Sequence, residues 1–290
     1  MTGATGYLGS HLLRLLVEQG ANVTCLKRPS SNFSRIADLA NLVAWVDVGS
    51  FDAQFFFRSN KIDYILHCAT DYGRKQVDPI QTIEANLILP LKILHAGVTN
   101  SVRGFINTDT ILDKGVSNYS LSKKQFLDWL VVYSDRIVGI NVALEHFFGP
   151  GDDPSKFVTA VIQALLRKVP SIDFTPGYQK RDFIFIDDVS AAFKVIFDNM
   201  PSFEKRLYRF EVGTGRPVEI RKFVHLAKRL TGNTTTILNF GAIPYRSNEA
   251  MCSKVNIKGL KDLGWSPGFS LEAGLKKTIE HERMMLACDT

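Results

Sequence analysis

Gly3-Ala-Thr-Gly-Tyr-Leu-Gly9 is the stretch of this chain that decides the fold. Its three glycines, Gly3, Gly6 and Gly9, are evenly spaced, and an apolar helical pattern follows at once. Glycine lets the backbone turn tightly and approach a pyrophosphate without a Cβ clash. The N-terminus of the following helix offers N–H groups and a partial positive charge to a phosphate. The pattern therefore predicts a dinucleotide-binding loop, with a simple glycine-rich turn as the alternative.

Apolar runs of strand length alternate with helical patterns through the first half of the chain. The predicted strands are Asn22–Lys27, Leu42–Val46, Tyr64–Cys68, Gly104–Thr108 and Gly139–Leu144, and the helices between them include His11–Gln19 and Thr82–Ala96. Unbroken apolar strands are typical of a parallel sheet covered on both faces. The right-handed crossover rule then predicts an α/β fold with a doubly wound parallel sheet of the Rossmann type.

The pattern changes after Phe148. A loop at 149–154 is followed by a predicted helix at Ser155–Lys168, a strand at Arg181–Ile186, a helix at Asp188–Asn199, a segment at Lys254–Leu263 and a terminal helix from about Ser270. We therefore predict a dinucleotide-binding domain over 1–148, to which 184–212 return. A smaller C-terminal domain is predicted over 149–183 and 213–290.

The glycine loop begins unusually early in the sequence. Such a loop normally follows a buried strand, but only Met1 and Thr2 precede Gly3. We therefore expect the first strand to be missing from this chain or its start to have been assigned too late. The hypothesis is that the natural protein begins several residues upstream.

Composition narrows the class of protein. The chain has 290 residues, a hydrophobic fraction of 45% and a formal net charge of +6. No apolar run reaches the roughly 20 residues that cross a bilayer, and no secretory leader is evident. The basic residues are dispersed, so no nucleic-acid partner is predicted. The four cysteines lack metal-ligand spacing, which predicts no metal and reduced thiols in a cytoplasmic protein.

The residues at the end of the second strand distinguish NAD from NADP as the expected cofactor. NAD is usually recognised there by an acidic residue on the ribose 2′-hydroxyl. This chain has Lys27 and Arg28 followed by serines, which suits the 2′-phosphate of NADP(H). A solvated basic loop, with NAD as cofactor, is the alternative. Asp47, at the end of the third strand, is a candidate partner for the adenine amine.

Tyr119 and Lys123 are four residues apart, so a helix places them on one face. A neighbouring ammonium lowers the pKa of a phenol and prepares it for proton transfer. A surface pair is the alternative. Thr108 is the first choice, and Thr110 the second, for a hydroxyl that holds the reacting oxygen.

Further candidates lie at strand ends and in the second half. Cys68 and its neighbours are small enough to let the backbone pass close to a cofactor, although tight packing is as good an explanation. Arg181 and Arg246 carry the planar fork that matches a diphosphate. His146, next to Glu145, is a candidate to face the cleft that would bind the diphosphate. A purely structural role for His146 is equally open.

The order of the motifs resembles that of extended short-chain dehydrogenases acting on nucleotide-sugars, the NAD-dependent epimerase/dehydratase family. The motifs that carry the resemblance are Gly3–Gly9, His67–Thr70, Tyr119–Lys123, Phe147–Asp152, Gln179–Val189, Val212–Gly215 and Leu263–Pro267. Less widely shared motifs resemble those of 4-keto reductases of CDP-dideoxyhexoses. These are Thr70–Gly73, Asn107–Asp109, Leu144–His146, Asn239–Ile243 and Arg246-Ser247-Asn248-Glu249.

The resemblance implies roles for particular residues. The catalytic set is Thr108, Tyr119 and Lys123. The cofactor set is Gly3, Gly6, Tyr7, Leu8, Gly9, Lys27, Arg28, Asp47, Val48, Cys68, Ala69, Thr70, Asn86, Tyr119 and Lys123. The substrate set is Asp71, Thr110, His146, Arg181, Arg246 and Glu249, and the C-terminal domain is implied to bind the nucleotide-sugar.

The resemblance also implies a homodimer formed through the tyrosine-bearing helix and its neighbour. Three features depart from the family pattern: the early start, Ala143 in place of a usual arginine, and a short segment between Thr110 and Tyr119.

The predicted function is NADPH-dependent reduction of a nucleotide-linked 4-keto-6-deoxyhexose, for deoxysugar, O-antigen and other surface-polysaccharide biosynthesis. A nucleotide-sugar 4-epimerase or dehydratase with tightly bound NAD is the first alternative. A non-catalytic NADP-sensing protein is the second.

Overall fold

The computed structural model describes residues 1–73, 78–246 and 248–288, so Ser247 of the motif quoted above lies outside the described residues. The strands are β1 Thr24–Lys27, β2 Ala44–Asp47, β3 Tyr64–His67, β4 Gly104–Thr110, β5 Val138–Leu144, β6 His146–Phe148, β7 Ser171–Phe174, β8 Lys180–Arg181, β9 Phe183–Phe185, β10 Leu207–Val212, β11 Val218–Glu219 and β12 Ile237–Phe240. The helices are α1 Tyr7–Glu18, α2 Ala53–Ser59, α3 Pro79–Ile83, α4 Leu89–Thr99, α5 Asn118–Val132, α6 Phe157–Leu166, α7 Ile186–Asn199, α8 Ile220–Thr231, α9 Lys258–Asp262 and α10 Leu271–Cys288. A π-helical turn, Glu84–Ile88, joins α3 to α4.

The chain divides into two compact units, Met1–Leu144 with Phe193–Glu211, and Glu145–Ala192 with Val212–Thr290. These boundaries differ from the predicted ones because β6 pairs with β9 and because the start of α7 is tied to the second unit. There, Trp265 Nε1 donates to the carbonyl of Asp188, and the N–H groups of Gly268 and Phe269 donate to its carboxylate. The roles of the units in binding cofactor and substrate stay predictions.

The first unit contains the predicted parallel sheet. Strands β3, β4 and β5 pair in parallel, β10 lies beside β5, and β1 pairs in parallel with β2. Every residue of β4 and β5 is buried, including the polar residues Asn107–Thr110 at the end of β4 and Asn141 within β5. The predicted strands and the Rossmann-type α/β fold are therefore confirmed.

Thr2 stands where a first strand was expected. No strand precedes α1 in the part of the chain that is described, but Thr2 forms parallel bridges with Leu26 of β1 and His67 of β3. The N–H of Thr2 donates to Leu66 O at 3.0 Å, and that of Leu26 donates to Met1 O at 2.8 Å. A single residue thus joins β1 to β3.

Among the described residues, the second unit is built from pairs of strands, the helices α6, α8, α9 and α10, and the start of α7. Strand β6 pairs with β9 and β12 with β7, both in parallel, while β8 and β11 are antiparallel. Its core is aromatic: the rings of Phe183 and Phe223 stack 4.2 Å apart, and Phe157 packs against Phe223 at 5.6 Å. Among the described residues, no helix is both long enough and apolar enough to traverse a lipid bilayer.

Candidate functional site

The glycine loop leads directly into α1. Gly6 is the N-cap of α1 and provides no side-chain cap, and its N–H donates to Gly3 O at 3.0 Å. A Cβ on Gly9 would lie 1.9 Å from Gly3 O. Gly3 has φ +71°, and a Cβ there would lie 2.5 Å from Ala69 N. The loop is therefore closed against the end of β3, and no side chain of the N-cap residue bonds the N–H groups in the first turn of α1. Helix α1 begins at Tyr7 rather than the predicted His11 because the loop itself starts the helix.

Thr2 fastens the end of β3 to this loop. Its hydroxyl oxygen accepts from the N–H groups of Cys68, at 3.2 Å, and Ala69, at 3.1 Å, and contacts His67 Nδ1 at 2.8 Å. Burial raises the pKa of Cys68 to about 12 and holds the pKa of His67 well below its usual value. Cys68 is thus a neutral thiol and His67 a neutral imidazole. Both support the loop geometry, and neither is prepared for proton transfer at neutral pH.

Two of the predicted cofactor residues, Lys27 and Asp47, contact each other. They are register partners at the ends of β1 and β2, and Lys27 Nζ lies 3.4 Å from Asp47 Oδ2. The other oxygen of Asp47 accepts from Gly49 N at 2.8 Å, in the turn that begins at Val48. The side chain of Arg28 is exposed beside them. The strand ends therefore carry a partly neutralised pair and one exposed guanidinium.

Tyr119 and Lys123 lie on α5 as predicted. Ser117 caps this helix, its side chain accepting from Ser120 N at 3.2 Å in a capping box. Tyr119 therefore lies in the first turn, where the partial positive charge of a helix favours a phenolate. The side chain of Lys123 is 1% exposed, and its Nζ has no hydrogen-bond partner among the described residues. Burial lowers the pKa of Lys123 to about 8, although Asp109 acts in the opposite direction.

A buried polar network that the sequence analysis missed lies beneath this helix. Asn107 Nδ2 donates to Asn141 Oδ1 at 2.7 Å, and Asn141 Nδ2 donates to Asp109 Oδ2 at 2.9 Å. Lys124 Nζ donates to the same oxygen at 2.9 Å and to Thr110 O at 2.6 Å. The available signal was a pair of asparagines inside two apolar strands, and they prove to be register partners.

The two predicted threonines differ in their hydrogen bonds. The hydroxyl of Thr108 donates to His67 O at 3.1 Å. The hydroxyl oxygen of Thr110, the last residue of β4, instead accepts from Leu112 N at 3.2 Å. The hydroxyl hydrogen of Thr110 is therefore not used in that bond. Ligands in open α/β sheets bind beyond the carboxyl ends of the strands, which is where Thr110 lies.

Asn86 is fully buried in the π-helical turn. Its side chain accepts from Asp71 N and donates to Asp71 O, both at 2.8 Å, and also donates to Ser122 Oγ at 3.1 Å. Such turns occur frequently at functional sites. Asn86 therefore holds the segment that follows Thr70, and Ser122 is a further residue that the sequence analysis missed.

Two of the predicted substrate residues in the second unit, Arg181 and Glu249, are paired with each other. Arg181 donates to the carboxylate of Glu249 and, at 2.6 Å, to Ala250 O. His146 Nδ1 lies 3.1 Å from Glu145 Oε2, which also accepts from Ser253 Oγ at 3.3 Å.

Two further residues complete the description of this unit. The side chain of Arg246 is exposed. Asp182, which is fully buried, accepts from Thr214 N at 2.9 Å and Gly215 N at 2.7 Å and so fixes the Val212–Gly215 motif. No group of three or more histidine, cysteine or acidic side chains within residues 1–73, 78–246 and 248–288 is arranged to hold a metal.

Curated proteins with similar sequences include CDP-abequose synthase from Salmonella muenchen, 34% identical over 288 residues, with 96% of each sequence aligned. A putative UDP-glucose 4-epimerase from Methanocaldococcus jannaschii is 24% identical over 307 residues, covering 96% of both sequences. Among solved structures, UDP-glucose 4-epimerase from Thermotoga maritima, in complex with UDP-glucose, has a TM-score of 0.83 at 22% identity and 98% coverage of both chains. UDP-glucuronic acid 4-epimerase from Bacillus cereus, with UDP-glucuronic acid and NAD, has the same TM-score at 20% identity and 98% coverage of both chains.

The sequence profile of the NAD dependent epimerase/dehydratase family matches residues 1–213, which is more than half of the chain. That match agrees with the order of motifs, the parallel sheet and the Tyr119–Lys123 pair described above. The chain therefore belongs to the NAD dependent epimerase/dehydratase family and is an NAD(P)-dependent enzyme of that family.

Proposed function

We propose that this protein reduces the 4-keto group of a nucleotide-linked 4-keto-6-deoxyhexose with NADPH. The observation that carries the proposal is the ammonium of Lys123, which is buried without a protein partner in the described structure one helical turn from Tyr119. A buried charge without partners is costly, and ribose hydroxyls would supply the missing acceptors. The likeness to CDP-abequose synthase, which Thr70–Gly73 and Leu144–His146 had suggested, supports this substrate class.

The residues of the first unit fit a dinucleotide. The glycine loop leaves no room for a Cβ at Gly9, and the uncapped first turn of α1 suits a pyrophosphate. Bound NADPH supplies the hydride to C4 of the sugar. Tyr119 donates the proton to the 4-oxygen, and Lys123 stabilises the resulting phenolate.

Thr110 is the better candidate for the hydroxyl that orients the keto oxygen. Thr108 was the first choice in the sequence analysis, but its hydroxyl donates to His67 O. Thr110 accepts from Leu112 N and keeps its hydrogen for a substrate oxygen. The roles are therefore divided: Thr108 supports the end of β3, and Thr110 contacts the substrate.

Asp109 argues against the dehydratase alternative. Elimination of water needs an acidic side chain that reaches the substrate, and Asp109, next to Thr108, is the nearest acidic residue in the sequence. The Asp109 side chain has no solvent-exposed area, and its carboxylate is bonded to Lys124, Asn141 and the N–H of Thr110. A buried carboxylate that is already bonded to three donors of the protein is not placed to contact a substrate.

The preference for NADP(H) rests on Arg28. Because Asp47 lies 3.4 Å from Lys27, part of the charge of that lysine is offset. The exposed guanidinium of Arg28 is then the principal candidate for the 2′-phosphate, which it binds through a charge-assisted pair. NAD, which the UDP-glucuronic acid 4-epimerase structure contains, is the alternative cofactor.

The nucleotide-sugar is assigned to the second unit, where Arg246 offers an exposed cation for the diphosphate. Arg181 is engaged by Glu249 and Ala250 O, so we assign it to holding the segment that carries Arg246. His146 keeps its proposed substrate contact, with Glu145 fixing the orientation of its ring.

The outer face of α5 supports a homodimer. Leu121, Trp129 and Val132 are 41%, 43% and 62% exposed, respectively, and their spacing places them along one side of the helix. An exposed apolar stripe of this kind is typical of an interface between helices. We propose that a second copy of the chain covers it. We also propose that the protein is cytoplasmic and acts in surface-polysaccharide synthesis.

The experiment that tests the function follows nicotinamide absorbance with a CDP-4-keto-dideoxyhexose as substrate. Stoichiometric loss of NADPH is expected for the reductase. An epimerase or dehydratase would retain bound NAD and consume no NADPH. Tyr119→Phe is expected to bind NADPH normally and to lose about 10²–10⁴-fold in turnover. If that variant turned over normally, Tyr119 would not be the acid, and NADPH binding without any nucleotide-sugar affinity would favour the sensing alternative.

A further inference from the structure

Tyr72 lies against the ring of Tyr119. The two ring centroids are 5.0 Å apart, and the ring planes are inclined by 45°. Tyr72 belongs to the segment that follows β3 and is 40% exposed, so this contact is not part of the hydrophobic core. None of the roles proposed above involves Tyr72.

The backbone on both sides of Tyr72 is fixed by hydrogen bonds. The N–H and the carbonyl of Asp71 are both bonded to the side-chain amide of Asn86, each at 2.8 Å. On the other side, Gly73 N donates to Asp71 Oδ1 at 2.7 Å, and Gly73 adopts φ +64°, a conformation that favours glycine. Tyr72 is therefore presented by an anchored turn.

The same asparagine is connected to the helix of Tyr119. Asn86 Nδ2 donates to Ser122 Oγ at 3.1 Å, and Ser122 Oγ donates to Tyr119 O at 2.9 Å. Asn86 and Ser122 are 0% and 1% exposed, so water does not compete for these bonds. One buried amide thus contacts the segment bearing Tyr72 directly and reaches the backbone of Tyr119 through a single hydroxyl.

We propose that Tyr72 is a positioning residue for the phenol of Tyr119, and that Asn86 and Ser122 hold the two tyrosines at a fixed separation. The inference rests on the proposed function, in which Tyr119 is the proton donor. A tyrosine side chain rotates about two bonds, and a ring packed on one face restricts that rotation. Because proton transfer requires hydrogen-bond distance, an acid that samples other orientations reacts more slowly.

The kinetic test compares two variants at position 72. Tyr72→Ala removes the ring, and we expect kcat to fall about tenfold or more while KM changes by less than about threefold. Tyr72→Phe keeps the ring and is expected to retain kcat within about twofold of the parent. Tyr133→Ala is the matched control, because Tyr133 is the C-cap at the opposite end of α5 and bonds His95 instead. An unchanged kcat in Tyr72→Ala, or equal losses in both variants, would overturn the inference.

A second readout needs no substrate. 3-Fluorotyrosine incorporated at position 119 is expected to give one narrow fluorine resonance in the parent protein and in Tyr72→Phe. In Tyr72→Ala the resonance is expected to move toward the shift of the free amino acid. Ser122→Ala removes both the hydrogen bond from Asn86 and the bond to Tyr119 O. It is expected to broaden the resonance, and a sharp line there would remove the anchoring role. An unchanged spectrum in Tyr72→Ala refutes the inference, whereas failure of the parent to oxidise NADPH refutes only the proposed function.

Discussion

Replacing the buried ammonium of Lys123 is expected to stabilise the protein while abolishing its use of cofactor. Burial lowers the pKa of this lysine from 10.5 to about 8. At about 1.4 kcal/mol per pKa unit, the penalty for keeping the amine charged is on the order of 3 kcal/mol. Lys123→Met keeps an unbranched side chain of similar length and removes the charge. Its free energy of unfolding at pH 7 should therefore exceed that of the parent by up to about 3 kcal/mol.

The stability gained by Lys123→Met should depend on pH, because the pKa of Lys123 differs between the folded and unfolded chain. Between about pH 8 and pH 10.5 the unfolded chain holds a proton on Lys123 that the folded chain has lost. The stability of the parent consequently rises with pH through that window. The advantage of Lys123→Met should be complete below about pH 8 and should shrink as the pH approaches 10.5.

Urea unfolding of the protein without cofactor, at several pH values, measures this difference. Lys124→Met is the matched control, because the neighbouring lysine is paired with Asp109 at 2.9 Å and that carboxylate has no exposed area. Removing one partner of a buried pair costs about 3–5 kcal/mol, so the two adjacent substitutions should change stability in opposite directions. A Lys123→Met protein as unstable as Lys124→Met, or an advantage that does not vary with pH, would show that the ammonium is satisfied in the folded state. NADPH should raise the unfolding midpoint of the parent by more than it raises that of Lys123→Met.

Three further predictions concern the glycine loop, the cofactor phosphate and the dimer. Gly9→Ala should unfold at lower temperature and lose NADPH affinity, because its Cβ would lie 1.9 Å from Gly3 O; Gly115→Ala, whose Cβ meets nothing nearer than 3.5 Å, is the calorimetric control. Normal NADPH affinity in Gly9→Ala would refute the assignment of the loop. Arg28→Ala should raise the KM for NADPH about tenfold and leave that for NADH nearly unchanged, whereas equal losses would exclude a 2′-phosphate contact. Trp129→Glu should sediment as a monomer; a persisting dimer would mean that the interface lies elsewhere.

The sheet of the first unit could be predicted because each strand is a mainly apolar run of strand length and these runs alternate with helical patterns. The Tyr119–Lys123 pair could be predicted because helix geometry alone brings residues four apart together. Neither inference requires knowledge of which strands are neighbours. The start of α1 was placed too late because a loop that itself begins the helix carries no separate signal.

The side-chain contacts of the site could not be predicted, because they depend on strand register and on partners far away in the sequence. Lys27 and Asp47 were each assigned to the cofactor, but that they meet follows only from the pairing of β1 with β2. Arg181 and Glu249 are 68 residues apart in sequence, so their ion pair could not be foreseen. The choice between Thr108 and Thr110 depended on which hydroxyl already has an acceptor, which only the structure reveals.

The bridges that Thr2 makes between β1 and β3 have a consequence for folding during synthesis. Thr2 is synthesised 66 positions before Cys68, so its hydroxyl can accept from the N–H of Cys68 only after β3 has been made. The middle of the sheet therefore closes only after both of its flanks have been translated. Ribosome-bound nascent chains that end before β3 should therefore leave β1 open to proteases. Protection of β1 from cleavage should appear abruptly once β3 has emerged from the ribosome.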